Sequence, residues 1–125
     1  VDDDPDARAL YRRFLSDEGM RVVEAEDGAM AVAAIEKELP AFVLLDLMMP
    51  KMDGFEVVAW IRNHATMANL PVVVVTAKAL TGDELRQLAQ VRRIILKGEV
   101  SDEIMVADLR AHLDRYRLRQ LEEGV

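Results

Sequence analysis

At 125 residues, with 51% of them apolar, the chain has the size of one compact domain and enough apolar surface for a core without staples. It contains no cysteine, which excludes disulfide frameworks, thiolate metal sites and thiol chemistry together. The formal net charge of −7 argues against direct binding of nucleic acid. No apolar run approaches the ~20 residues of a membrane span and no signal-peptide pattern is present, so a cytoplasmic domain without membrane contact is expected.

In chain order, Val1 reads as the last residue of a strand whose earlier part is absent from the sequence. Such a strand would be central in the sheet, so the sequence is expected to be clipped at its amino end; a complete chain of this kind would be poorly stable or would borrow a strand. A helix follows from Pro5 to Glu18, with Leu10, Phe14 and Leu15 on one face, Asp4 as cap and Gly19 as stop. Arg21 to Glu26 is expected as a short strand around Val22 and Val23. A helix from Gly28 to Leu39 turns Met30, Ala33, Ala34 and Ile35 inward and is stopped by Pro40. The continuous apolar run from Ala41 to Asp46 suits a strand buried on both faces.

Beyond the turn-rich Met49 to Gly54, a helix carries Phe55, Val58, Ala59 and Ile61, with Trp60 partly covered. Leu70 to Thr76, with four consecutive valines, is the next buried strand. A helix from Gly82 to Val91 leads to a strand from Arg93 to Lys97. Ser101 or Asp102 then caps a last helix with Ile104, Leu109, Leu113 and Tyr116 at helical spacing. Residues 1–118 are expected to form the domain, and 119–125 a tail or the start of a linker. The basic pairs Arg12-Arg13 and Arg92-Arg93 read as solvated helix or loop ends. His64 and His112 read as surface residues away from any cluster.

Strands alternating with helices imply a parallel sheet with right-handed crossovers, hence a three-layer α/β sandwich. Ligands in such folds gather beyond the carboxyl ends of the strands. The polar residues ending the apolar runs, Asp2, Asp3, Asp46, Thr76 and Lys97, should therefore converge. Three carboxylates repel unless a cation relieves them, and oxygen donors of this kind suit Mg2+. A carboxylate beside such an ion can attack phosphorus, with the Lys97 ammonium neutralising charge on the transferred oxygens and the Thr76 hydroxyl donating to one of them.

The segments Val1-Asp2-Asp3-Asp4-Pro5, Val43-Leu44-Leu45-Asp46-Leu47-Met48-Met49-Pro50 with Met52-Asp53-Gly54, Val75-Thr76-Ala77-Lys78 and Ile95-Leu96-Lys97 together resemble the receiver domains of two-component signalling. That resemblance implies a flavodoxin-like sheet of five parallel strands in the order 2-1-3-4-5 flanked by five helices. It implies Asp46 as the phosphoacceptor and Thr76 and Lys97 as its assistants. Asp2, Asp3, Asp46 and the Met48 backbone carbonyl become the protein ligands of Mg2+. The donor would be a histidine kinase or phosphotransfer protein, and output would pass through the surface from Gly82 to Arg117, with homodimerisation left open. A signalling domain of this kind is not an enzyme in the turnover sense.

Two residues depart from the pattern. Gly98 stands where relatives have proline in a cis bond, so a trans Lys97-Gly98 bond is expected. Ile94 stands at the switch position, often aromatic, so the usual threonine–aromatic coupling is not available. Met48 and Lys78 flank the phosphoryl position. A non-phosphorylated receiver acting as a protein-binding scaffold is the alternative. A phosphatase of the haloacid dehalogenase class would want a second aspartate where Met48 stands. A flavin binder would not place three acids in its phosphate loop.

Overall fold

The computed structural model describes residues 1–98 and 101–123, with side chains up to residue 115. Its elements are α1 (Pro5–Asp17), α2 (Gly28–Glu38), β1 (Val43–Leu45), α3 (Gly54–Asn63), β2 (Val72–Thr76), α4 (Gly82–Gln87), β3 (Arg93–Leu96) and α5 (Asp102–Glu123). The three strands form a parallel sheet in the order β1-β2-β3. Val43 stands opposite Val72, and Thr76 opposite Leu96. These correspond to the third, fourth and fifth strands of the expected order, and the five helices are those expected.

Period-two alternation decides which layer each strand residue serves. Val43, Leu45, Val72 and Val74 face Ala31 and Ile35 of α2 and Val57, Val58 and Ile61 of α3. Leu44, Val73, Val75 and Ile95 face Tyr11 and Phe14 of α1 and Met105, Leu109 and Leu113 of α5. A sheet buried on both faces needs near-continuous apolar strands, and β2 is entirely buried over its five residues.

Five expectations change. Residues 21–26 do not form a strand among the described residues. Their ladder contact is Asp2 N donating to Ala25 O at 3.1 Å, and a cavity of about 320 Å³ lies between this segment and β1. On the other side, the Val1 amino group donates to Leu44 O at 2.7 Å and Asp46 N donates to Val1 O at 2.9 Å. Val1 and Asp2 thus lie between the two segments, one bonding each way, which is the alternation of a parallel strand.

The inward face of α2 is also shifted. Gly28, Ala31 and Ile35 are buried, whereas Met30 is 46% exposed and Ala33 faces solvent. Gly28 sets this phase: a side chain there would run into the Met52 carbonyl group, 2.6 Å from its carbon, so only glycine lets the helix start so close. On α3 it is Val57 rather than Ala59 that is buried, beside Val58 and Ile61. In α5 the buried stripe is Met105, Leu109 and Leu113, not Ile104, which is 57% exposed. The Tyr116 side chain lies outside the described residues. Finally, α4 stops at Gln87 rather than Val91, after a capping box between Thr81 and Glu84.

Two caps come from expected residues: Asp4 accepts from Asp6 N at 3.0 Å and Ser101 from Ile104 N at 3.3 Å. Asp53, read from the sequence as part of a turn, caps α3 by accepting from Glu56 N at 2.9 Å. No described helix is long and apolar enough to cross a membrane.

Candidate functional site

The carboxyl edge of the sheet carries the predicted cluster. Asp46 follows the last residue of β1, Thr76 ends β2 and Lys97 follows β3. Lys97 N donates to Thr76 O at 2.7 Å, which carries the ladder to the site itself. Asp2 and Asp3 come from the segment before α1. Asp2 is 1% exposed and Asp46 7%, and Thr76 is fully buried.

Asp2, Asp3 and Asp46 each bring one carboxylate oxygen within 4.8 Å of the others. The Lys97 ammonium lies beside two of them, 2.6 Å from Asp2 Oδ2 and 3.5 Å from Asp46 Oδ2. The sequence reading assigns Lys97 to the transferred phosphoryl oxygens; in the structure its tighter partner is Asp2. The other Asp2 oxygen accepts from Asp4 N at 2.9 Å, so both are engaged. Asp3 is exposed and remains open to solvent. The set is all oxygen, two carboxylates buried and one accessible, which is the chemistry of a hard cation site.

Burial pushes the Asp46 carboxyl above the ordinary aspartate range. Lys97 opposes the shift, Asp2 reinforces it, and hydrogen bonds from Met48 and Thr76 oppose it. For Lys97, burial works to lower the pKa, but the contacts with Asp2 and Asp46 outweigh it and leave the ammonium above its usual value. The site thus sets an ammonium favoured in its charged form beside a carboxyl pushed toward its protonated form.

Met48 reaches the cluster through its backbone, its amide donating to Asp46 Oδ1 at 3.3 Å, while its side chain is 57% exposed. Lys78 N donates to Thr76 Oγ1 at 3.2 Å, and the Lys78 ammonium is held at 3.2 Å by Glu84 of α4. The backbone following Thr76 is therefore tied both to the threonine hydroxyl and to the start of α4. Ile94 pairs with Val74 in register and packs against the α2–α3 side of the core. No cis peptide occurs among the described residues, and Gly98 has φ +84°, a conformation closed to proline.

Two contributors escaped the sequence reading. Arg8 of α1 donates to Asp2 O at 2.8 Å, fixing the segment that carries the acids, and is 3.5 Å from Glu24. Gly54 opens α3 directly against the end of β1. A side chain there would meet the Asp46 carbonyl oxygen, with Leu47 Cα at 2.6 Å, and Gly54 N donates to Leu47 O at 3.0 Å. The sequence reads Met49 to Gly54 as a turn before the helix, and the close approach behind Gly54 depends on long-range packing.

A parallel sheet between two helical layers, with acids and a lysine at its carboxyl edge, defines an α/β sandwich of the flavodoxin-like type built to handle an anionic group beside a cation. Residues 1–114 match the profile of the Response regulator receiver domain, and the chain belongs to that family. An uncharacterized 14.6 kDa protein in the sodA1 3′ region of Leptolyngbya boryana is 42% identical over 83 residues, covering 66% of this chain and 63% of that one. The receiver domain of a putative Luxo repressor protein from Vibrio parahaemolyticus is 28% identical with a TM-score of 0.78, covering 100% of this chain and 95% of that one. The BeF3-activated N-terminal receiver domain of Klebsiella pneumoniae RstA is 31% identical with a TM-score of 0.73, covering 90% and 94%. The matches to three of the curated relatives span 63%, 38% and 51% of their lengths.

Proposed function

We propose that Asp46 accepts a phosphoryl group from a phosphohistidine of a histidine kinase or phosphotransfer protein, and that the modified domain signals through an altered surface. The observation that carries this reading is the buried Asp46 carboxylate sharing one ammonium, Lys97, with Asp2 at the sheet edge. Asp46 Oδ2 attacks phosphorus, the phosphorus–nitrogen bond to the donor imidazole breaks, and that nitrogen keeps the bonding electron pair and takes up a proton. Mg2+, held by Asp2, Asp3, Asp46 and the Met48 backbone carbonyl, supplies charge neutralisation to the phosphoryl oxygens when bound.

The chain's own groups do the rest. Lys97 is a compact charge poised between two acids, so it follows negative charge as that charge moves from carboxylate to phosphoryl. Thr76 turns the hydroxyl that now bonds Asp46 toward a phosphoryl oxygen, and its oxygen swings away from Lys78 N. That exchange displaces the backbone after β2, which is tied to α4 through Lys78 and Glu84, and the described part of the Gly82 to Arg117 surface is the output face. With Ile94 in place of a ring, this backbone route carries the signal. The chemistry is self-directed modification rather than enzymatic turnover, and it takes place in the cytoplasm.

The test is incubation with acetyl phosphate and Mg2+ followed by electrophoresis in a phosphate-binding gel. A retarded band in the parent, absent in Asp46→Asn and heat-labile as an acyl phosphate must be, supports the reading. Equal retardation of both proteins overturns it.

A further inference from the structure

At the opposite end of the sheet from the acid site, a pocket of about 500 Å³ is lined by Pro71, Arg92, Arg93, Asp108, His112 and Arg115, together with Ala111. It lies between the amino ends of β2 and β3 and the middle of α5. A chain of net charge −7 here gathers three guanidinium groups and an imidazole around one acid. That acid, Asp108, is engaged by Arg93 at 2.8 Å. Among the described residues, neither Arg92 nor Arg115 has a carboxylate partner within ion-pair distance.

The crowding is felt by neighbouring groups. Burial lowers the His112 pKa, and Arg115, Arg92 and Arg93 lower it further, with Asp108 opposing. Arg62, whose guanidinium donates to the carbonyls of Ala68, Leu70 and Gln90, also senses Arg92 after burial. Like charges brought together at this cost are relieved by an anion, and guanidinium groups present paired donors suited to phosphate oxygens. The sequence alone read Arg92-Arg93 as a solvated pair; α5 brings Arg115 and His112 across to them.

We propose that this pocket binds a phosphate-bearing small molecule, gripped by Arg92 and Arg115 with His112 at its side. The volume exceeds what one phosphate needs and lies within the range of small-molecule sites, about 300–1,000 Å³. The site is remote from Asp46, although it lies on the Gly82 to Arg117 face, so the unmodified Asp46→Asn protein binds the ligand as the unmodified parent does.

The experiment follows the His112 ring by NMR during titration of the full chain with inorganic phosphate, pyrophosphate and adenosine monophosphate in turn. Binding raises the His112 pKa by about half a unit or more, because an adjacent anion favours the imidazolium. In an Arg92→Gln/Arg115→Gln double variant the affinity falls about tenfold or more, while Arg12→Gln on α1 leaves it unchanged. Saturation by phosphate as readily as by the nucleotide assigns free phosphate, and tighter binding of the nucleotide assigns a phosphate ester. No His112 response up to about 10 mM, far weaker than a specific site allows, overturns the proposal. Equal responses in the double variant or equal weakening in Arg12→Gln also overturn it, since either means general ionic attraction.

Discussion

Replacing Lys97 by methionine removes the one ammonium that Asp2 and Asp46 share while keeping most of the side chain's length. At 3.5 Å from Asp46, an effective dielectric of about 20 gives an attraction of about 5 kcal/mol, with a similar figure for Asp2, before desolvation is subtracted. Breaking one partner out of a buried pair costs about 3–5 kcal/mol in general. Lys97 retains 23% side-chain exposure, and Asp46 can take up a proton once the lysine is gone, so the net loss at pH 7 is set at about 2–3 kcal/mol. In a domain of this size that lowers Tm by roughly 6–15 °C. Urea denaturation of parent and Lys97→Met at pH 7 and pH 4.5 is the assay. The deficit is expected to shrink at the lower pH, where Asp46 is more protonated and needs its cation less. An unchanged midpoint at pH 7, or the same deficit at both values, would refute the reasoning.

Gly54→Ala forces a side chain against the Asp46 backbone, so a loss of about 1–3 kcal/mol is expected by chemical denaturation, together with slower phosphoryl uptake, whereas Gly82→Ala, where nothing stands within 4 Å, is tolerated. Because the Asp46 carboxyl is raised, phosphoryl uptake falls on acidification at a higher pH than an ordinary aspartate's ~3.9 would give. The same shift means the folded state holds that proton more tightly, so this group's contribution to stability declines as pH rises from the ordinary value through the raised one. Asp46→Asn is accordingly more stable than the parent at pH 7, with the gap closing toward pH 4, measurable by thermal melts. Mg2+ at about a hundredfold excess over its Kd raises stability by about 2.7 kcal/mol, an increment that chelation removes and that Asp3→Ala largely forfeits.

The strand ends were the most legible part of the molecule, since an apolar run that stops at a polar residue marks a sheet edge. Asp46, Thr76 and Lys97 were found this way, as were Asp2 and Asp3 after the strand residue Val1, and the cluster does converge. Helix faces were harder to phase. In α2 the pattern reads Ile35 inward correctly but also favours Met30 and Ala33, whereas Gly28 pressed against Met52 rotates the buried face to Ala31 beside Ile35. In α5, Ile104 and Met105 are equally apolar neighbours, and only packing onto Ile95 and Val75 chooses Met105. The strand expected at residues 21–26 depends on a neighbour rather than on its own valines, and the ladder beside it is limited to the Asp2–Ala25 bond. The preference of Lys97 for Asp2 over Asp46 is a matter of fractions of an ångström that no spacing encodes.

The most direct measurement of the central claim is the intact mass of the chain after treatment with acetyl phosphate and Mg2+, followed by peptide mapping. The addition of one phosphoryl group, confined to the peptide containing Asp46, prevented when Mg2+ is chelated beforehand and absent in Asp46→Ala, is the predicted result. A properly folded chain that gains no mass while binding Mg2+ normally, or that carries the group on another residue, would contradict it.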